Sequence, residues 1–547
     1  MKPKLAPRLV SRLRILRLTC LGLLLFSFAY SVQIRRKAEI SEGYAVPAPK
    51  VDPGPDAATL RITIIDRDSG EILSATASVN GGAQEPEDDP FHEYSLRKAG
   101  NELQGPSRFR ELDYYFYTSG TFSVRVPPGS CTVVVGRGYE YDPVQRVFHL
   151  EKNEVVESTI SVSRWIDMAK EGWYSGDTHL HFERTGSNDE TLLTLTSARD
   201  IRYAFSLSMN TTGYALGREF ESWGQALGLG DGSTRRQGAY HLSSGQEYRV
   251  GSLGHVTVVL AKDYVQALGR TGDVNPGPSL GVIAEQAHEL SGFIGLNHGG
   301  YYRMEADALG LSGKTDFLEL LQLGGYRGLG LDGWYDFLNL GYRWAIVGAS
   351  DFPYSRELGG NLTYVYFERE PTVREFMEAV VEGRSFATSG PMVFLEVNGR
   401  RPGEKIVFDR EQKAQLDVSV RVLSPLYPVR SVDLIWNGRV LSRQFDPQGR
   451  SRWEVSERLR VGESGWIAVR AHGDEGTESH TNPVYVYLGG KRPFDDDACG
   501  QIQARLEAST RTITQPGIRQ ELVRLAASLS HYRDTGENRG LGLPEVP

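Results

Sequence analysis

The chain has 547 residues and a formal net charge of −8, with 24% charged and 10% aromatic residues. At about 100–200 residues per domain this length predicts several domains, and the aromatic content excludes intrinsic disorder as the main state. The acidic balance argues against a general nucleic-acid-binding protein, which would carry a positive field, so we expect no nucleic-acid partner.

Residues 1–40 are predicted to be a signal peptide or an N-terminal membrane anchor. Lysines and arginines come first, and an uncharged apolar run follows from Leu18 to Val32. This run is about 15 residues long, which is short for a membrane-spanning helix of about 20. Ala29 and Ser31 have the spacing of a cleavage site, whereas Arg35 to Lys37 would suit an uncleaved anchor. Both alternatives place the rest of the chain outside the cytoplasm, with the membrane as a partner only through this segment.

Residues 41–58 are rich in proline and predict an extended linker, because proline lacks the backbone donor that helices and sheets need. Residues 59–166 predict a β-sandwich domain. There Leu60, Ile62 and Ile64 alternate with polar residues, and the segment after Phe122 repeats the alternation.

Residues 167–392 have a different pattern. Short apolar strands, such as Val256–Leu260 and Phe293–Leu296, alternate with helix-like segments such as Leu280–Leu290. Such alternation is typical of β-α units with parallel strands, whose connecting loops carry the chemistry.

Residues 393–490 return to period-two alternation, seen from Leu416 to Val422, and predict a second β-sandwich domain. Residues 491–547 predict a helical tail, with Asp497 as the cap of its first helix. The expected fold class is therefore multidomain, α/β plus all-β. Of the three cysteines, Cys131 and Cys499 lie far apart beyond the N-terminal segment, and we expect free thiols.

Two histidines one residue apart, His179 and His181, are the first candidate metal ligands. On a strand, residues i and i+2 share a face, so both rings could hold one ion. Taken alone, such a pair is often structural. Asp177, just before it, either orients an imidazole or forms a turn.

Further candidate ligands follow the predicted strands of the same region. Glu247 and His255 flank the apolar run at Val256, His298 follows the strand that ends at Leu296, and Asp351 follows another short apolar run. Strand ends converge on one face of a parallel barrel, so these side chains are expected to meet there. Imidazole and carboxylate donors without cysteine suit zinc, manganese or iron. Asp351 could instead cap a loop.

The motifs resemble the PHP-type metallohydrolases, in particular the CehA/McbA branch, whose named members are associated with carbamate-ester hydrolysis. The segments that carry the resemblance are Gly172–His181, Ser244–Glu247, Gly254–His255, Asn297–Gly299, Ser350–Asp351, Glu382–Pro391 and Arg137–Tyr141. It covers roughly residues 60–490. The resemblance implies a distorted seven-stranded β/α barrel of PHP type, flanked by the two β-sandwich domains.

The resemblance also implies a ligand set for divalent ions. His179, His181 and Asp351 would hold a first ion, Glu247 would bridge to a second, and His255 and His298 would complete the second site. The histidines of the family's third site are missing, since the residues after His181 read Phe182–Asn188 without a histidine. We expect two ions at most.

The expected function is an exported metal-dependent hydrolase that attacks a small ester, carbamate or phosphoester with activated water. Glu247 and Asp351 would be catalytic as well as ligands, with Asp351 accepting a proton from the water. Arg303 would stabilise a developing oxyanion, although a surface ion pair explains it equally well. The alternative is a non-catalytic extracytoplasmic binding or assembly protein whose metal site is structural or degenerate.

Overall fold

The structure is a computed structural model that describes residues 51–91, 94, 115–212, 229–250, 253–265, 279–300, 304–322, 325–355, 357–409 and 413–547. The predicted export segment, most of the predicted linker and Arg303 lie outside these ranges. Among the helices of the described ranges, none combines the length and hydrophobicity that a membrane crossing requires.

The first β region consists of two four-stranded sheets around a shared apolar core. Its strands are β1 (Ala58–Asp66), β2 (Ala75–Val79), β3 (Phe116–Thr118), β4 (Thr121–Val126), β5 (Gly129–Gly136), β6 (Tyr141–Asp142), β7 (Val144–Leu150) and β8 (Val155–Arg164). Leu60, Ile62 and Ile64 of β1 are buried as their alternation predicts. Strand β1 pairs antiparallel with β4 but parallel with β8, because alternation determines which face is buried and not the strand direction.

The middle region is a strongly curved mixed sheet with helices. Its strands are β9 (Trp173–Leu180), β10 (Tyr203–Thr212), β11 (Arg235–Gln237), β12 (Tyr240–Val250), β13 (Gly254–Val259), β14 (Phe293–Leu296), β15 (Phe317–Gln322), β16 (Gly325–Tyr326), β17 (Ala345–Gly348), β18 (Leu362–Tyr366) and β19 (Ser385–Thr388). Its helices are α1 (Asp189–Ala198), α2 (Leu280–Glu289), α3 (Ala306–Ser312), α4 (Gly330–Asn339) and α5 (Val373–Val381).

The main strands of this sheet follow the order β18-β9-β10-β12-β13-β14-β15-β17. Its two edges approach each other, since the Thr363 hydroxyl on β18 accepts from the backbone N–H of Gly348 on β17 at 2.9 Å. The expectation of parallel strands was only partly correct. Strand β13 is antiparallel to both of its neighbours, β12 and β14. It follows β12 after a short connection without a crossover helix, which an antiparallel pair permits.

Helix α5 packs directly on the strand that leads to His179. A capping box between Thr372 and Glu375 fixes its start, and its buried face includes Phe376. A Cβ atom on Gly176 of β9 would lie 2.3 Å from the Phe376 ring, so only glycine permits this contact. The packing holds β9, and with it the first pair of candidate ligands.

The last β region continues from the middle sheet. Strand β19 of the middle sheet pairs with β27 (Glu478–Thr481) of the last region. Its strands are β20 (Met392–Val397), β21 (Lys405–Phe408), β22 (Ala414–Leu423), β23 (Val429–Trp436), β24 (Arg439–Arg450), β25 (Arg452–Val461), β26 (Gly465–Gly473), β27 (Glu478–Thr481) and β28 (Val484–Leu488). Strands β20, β22 and β25 form a separate antiparallel sheet, and Leu416, Val418 and Val420 on β22 are buried as predicted.

The chain ends in two helices, α6 (Asp496–Thr512) and α7 (Pro516–Thr535). The cap of α6 is Asp495, whose carboxylate accepts from the N–H of Ala498 at 3.0 Å; the predicted cap, Asp497, lies inside the first turn. Leu506 of α6 shares a core with Trp334 of the middle region. The tail therefore packs on the middle region. Cys131 and Cys499 are free and buried, as expected.

Candidate metal centre

The predicted ligands meet at one end of the curved sheet. His179 and His181 lie at the end of β9, Glu247 in the last half of β12, His255 at the start of β13, His298 just after β14 and Asp351 just after β17. The antiparallel direction of β13 places its start beside the ends of its neighbours. The structure brings these six side chains together, and two groups of three among them have the spacing to hold a metal ion; a third such group includes Glu319.

The first group consists of His179, His181 and Asp351. The two Nε2 atoms are 3.0 Å apart, and Oδ1 of Asp351 lies 3.4 Å from Nε2 of His179 and 3.3 Å from Nε2 of His181. Donors at bond lengths of about 2.0–2.2 Å around a tetrahedral zinc ion are separated by about 3.3 Å. The spacing of the group fits a small divalent ion.

Glu247 divides its two carboxylate oxygens between this group and a second one. Its Oε2 is 3.4 Å from Nε2 of His181, while its Oε1 is 3.1 Å from Nδ1 of His255 and 3.3 Å from Nε2 of His298. Oε1 is also 3.7 Å from Nε2 of His179, farther than from either histidine of the second group. A carboxylate that faces two ligand groups in this way can bridge two ions. The residue is 2% exposed, so it does not merely lie near the groups on the surface.

The hydrogen bonds of the imidazoles fix which nitrogen faces the centre. Nδ1 of His181 lies 3.2 Å from the carbonyl oxygen of Leu207, and because a carbonyl only accepts, Nδ1 carries the hydrogen. In the neutral ring, Nε2 then presents a lone pair toward Nε2 of His179. Lone pairs and carboxylate oxygens that converge in a buried space repel each other unless protons or metal cations lie between them, and this imidazole and carboxylate donor set fits divalent ions.

Two buried partners of the histidines were missed by the sequence analysis. Oε2 of Glu319 on β15 is 2.7 Å from Nδ1 of His179, and Oε1 of Gln322 on the same strand is 2.7 Å from Nδ1 of His298. Such partners orient a ligating imidazole and raise its basicity. The available signal was a carboxylate inside the apolar run Phe317–Leu321, where a charged residue is unusual.

The third group, His179, His298 and Glu319, reuses two histidines of the other groups. It is therefore not an independent third site. Where the family's third site was sought, Arg184 is buried and forms a two-pronged ion pair with Asp189. The remaining nitrogen of its guanidinium group, Nη1, donates to the hydroxyl of Ser244 at 2.9 Å.

The electrostatics of the six candidate ligands favour positive charge at the site. Burial favours neutral Glu247, but hydrogen bonds with His255 and His298 outweigh it and hold its pKa well below the usual range. Burial likewise opposes protonation of His179, yet the nearby carboxylates, Glu319 foremost, raise its pKa to about 10. Burial lowers the pKa of His255, and the positive charge of Arg249 acts in the same direction.

Two ligand residues have left-handed backbone conformations. His298 has φ +52° and Asp351 has φ +57°, which is uncommon for residues other than glycine and costs about 1–3 kcal/mol each. Beside His298, the backbones of Gly299 and Gly328 approach so closely that a Cβ on Gly299 would lie 2.1 Å from the carbonyl oxygen of Arg327. Strain of this kind is concentrated where geometry serves a site.

Asp177 links the strands of the first group. Its carboxylate accepts from the N–H of His179 at 3.2 Å and from the N–H of Ser350 at 3.1 Å. The sequence allowed an imidazole-orienting role or a turn; the observed hydrogen bonds instead join the end of β9 to the segment after β17. Arg303, a predicted catalytic residue, lies outside the described residues.

No family model matches the chain, and no curated protein matches it. Among solved structures, the lesion-specific endonuclease PfuEndoQ from Pyrococcus furiosus aligns at 15% identity and a TM-score of 0.24, over 39% of this chain and 55% of that chain. This chain thus spans about half the length of the endonuclease. A superoxide reductase (neelaredoxin) from Ignicoccus hospitalis aligns at 16% identity and a TM-score of 0.13, over 18% of this chain and 81% of that one. Likenesses of this size carry no argument.

Proposed function

We propose that this protein is a metal-dependent hydrolase whose centre holds two divalent ions, zinc, manganese or iron, bridged by Glu247. The observation that carries the proposal is the division of the Glu247 oxygens, with Oε2 on the His181 side and Oε1 on the side of His255 and His298. A purely structural carboxylate has no need for a histidine group at each oxygen.

When bound, two divalent ions would polarise a reacting carbonyl or phosphoryl group and make water acidic enough to attack at neutral pH. The protein's own residues have separate tasks. His179 and His181 would offer Nε2 to an ion, because Nδ1 of His179 is directed at Glu319 and Nδ1 of His181 at the Leu207 carbonyl. Asp351 uses Oδ1 toward these histidines and keeps Oδ2 on the side of His298, 4.0 Å from Nδ1. That second oxygen is placed to accept the proton of the attacking water.

The wider assignment rests on the motifs. The run Gly172–His181, together with the residues around Glu247, His298 and Asp351, resembles the PHP-type metallohydrolases of the CehA/McbA branch, and we propose the same fold type with β domains on either side. The basic and apolar start of the sequence supports an extracytoplasmic location. The substrate is proposed to be a small ester, carbamate or phosphoester.

Metal analysis combined with a chromogenic substrate panel tests the proposal. The purified protein is expected to contain about two equivalents of metal and to hydrolyse at least one phosphoester, carboxyl ester or carbamate. His179→Ala and Glu247→Ala should abolish turnover. His149→Ala is the matched control, because this exposed histidine on β7 should leave both metal content and turnover unchanged.

Two outcomes would contradict the hydrolase. Metal bound without turnover across the whole panel would favour a binding or assembly protein. Turnover that survives both His179→Ala and Glu247→Ala would place the chemistry elsewhere in the chain.

A further inference from the structure

Arg249 lies beside the metal centre on the strand that supplies Glu247. The two residues are two positions apart on β12, so both side chains point to the same face of the sheet. Across the ladder, Arg249 is directly opposite His255 on β13. Directly opposite side chains have Cβ atoms about 4.5–5.5 Å apart. The guanidinium group therefore flanks the second ligand group.

Among the described residues, this arginine has fewer partners than a half-buried guanidinium normally has. Its Nε is buried without a hydrogen-bond partner, and its Nη1 contacts the Met209 sulfur at 3.4 Å, a weak acceptor. Within the described part of the chain, no carboxylate lies within ion-pairing distance of Arg249. Other arginines of the region, such as Arg184 and Arg164, are paired with carboxylates. Among the described residues its positive charge is therefore unmatched, which leaves a guanidinium beside the candidate centre available to an anionic ligand.

A second donor lies at the same place. The hydroxyl of Tyr354 contacts the Met209 sulfur at 3.4 Å, and the Tyr354 ring packs edge-on against His181, with centroids 5.3 Å apart. Arg249 and Tyr354 thus meet at one sulfur atom, with His255 on one side and His181 on the other. A ligand that reached both donors would also reach the ions.

Building on the hydrolase proposal, we propose that Arg249 binds the anionic oxygens of the reacting group and that the substrate is a phosphoester. A guanidinium presents parallel N–H donors that match the oxygens of a phosphoryl group, and Tyr354 would supply one more. Two divalent ions outweigh the charges of Glu247, Asp351 and Glu319, and Arg249 makes the loaded centre more positive still. A centre of this charge suits a group that is anionic before the reaction starts.

A phosphoester and a neutral ester differ in the charge that they carry before the reaction starts. A phosphoester and its product, inorganic phosphate, carry negative oxygens throughout the reaction. A neutral ester or carbamate gains a negative oxygen only in the transition state. Arg249 should therefore determine the affinity for inorganic phosphate itself if the substrate is a phosphoester.

Calorimetric titration of the metal-loaded full chain with inorganic phosphate tests the proposal. The unmodified protein should bind phosphate, and Arg249→Gln should weaken binding by about tenfold or more with unchanged metal content. Arg249→Lys keeps the positive charge but not the paired N–H donors of the guanidinium, and it should give an intermediate affinity. This conservative variant also provides a test if Arg249→Gln fails to fold. Arg460→Gln is the control, because it removes an exposed positive charge on β25, away from the centre.

The two proposals fail in different ways. Absence of phosphate binding, or equal affinity in the unmodified protein and Arg249→Gln, overturns the phosphoester assignment even if neutral esters are hydrolysed. Arg249-dependent phosphate binding without any turnover supports the anion site and contradicts the hydrolase.

Discussion

Nδ1 of His179 lies 2.7 Å from Oε2 of Glu319, and both side chains are almost completely buried. With the hydrogen of the neutral ring on Nδ1, this contact leaves Nε2 free to bind an ion. It also holds the ring plane toward His181 and Asp351. Glu319 is thus a positioning residue for the first ligand group.

Loss of Glu319 should weaken binding of the first ion. Glu319→Ala leaves Nδ1 of His179 buried without an acceptor, and we expect metal affinity to fall by about 10–100-fold. Glu319→Gln keeps an acceptor oxygen without the charge and should lose less. Chelator competition measures both, with Glu454→Gln on exposed β25 as the control. Unchanged affinity in Glu319→Ala would show that the contact does not orient the ligand.

The number of bound ions should depend on which ligand is removed. His255→Ala removes a ligand of the second group alone, so the protein should keep about one equivalent of metal. Glu247→Ala removes a ligand of both groups and should reduce the content below that of His255→Ala. Elemental analysis after dialysis gives the two values. Equal metal content in the two variants would argue against a bridging carboxylate.

The sequence placed several candidate ligands, because His255, His298 and Asp351 adjoin short apolar runs whose ends meet, while the complete candidate set followed from the resemblance in motifs. It was insufficient for their partners. Glu319 and Gln322 lie inside a strand, and only the fold shows that they point at His179 and His298. The direction of β13 was missed for a related reason, since alternation of apolar residues looks the same in either direction.

Gly299→Ala should disturb the second ligand group through the backbone. Gly299 has φ +60°, and a Cβ there would lie 2.1 Å from the carbonyl oxygen of Arg327, so the chain beside His298 must shift. We expect a loss of about 1–3 kcal/mol in unfolding free energy and weaker binding of the second ion.

The matched control is Gly238→Ala, at φ +59° with no atom within 4 Å of the added Cβ. It has the same backbone conformation without the collision, and chemical denaturation of the two variants separates the effects. A loss no larger than that of Gly238→Ala would show that the close approach beside His298 is not required.

His480, a histidine outside the candidate ligand set, should make the fold sensitive to acid. It is fully buried on β27, where Nδ1 lies 2.7 Å from the Thr481 carbonyl and Nε2 lies 2.6 Å from the Tyr335 hydroxyl. Burial is the main cause that lowers its pKa to about 3, against 6.5 for the free side chain. Below pH 6.5 the unfolded chain takes up a proton that the folded chain does not, so stability is complete above pH 6.5 and falls toward pH 3.

Between pH 6.5 and pH 5 this group should cost about 2 kcal/mol, at 1.36 kcal/mol per pH unit. His480→Gln keeps an acceptor for Tyr335 and a donor for Thr481 but does not titrate, so its stability should fall less over the same interval. Urea unfolding at both pH values measures the difference, and His149→Gln on exposed β7 controls for the loss of a histidine. Parallel losses in the unmodified protein and His480→Gln would mean that His480 accepts a proton in the folded state, and that its burial is not what makes the fold sensitive to acid.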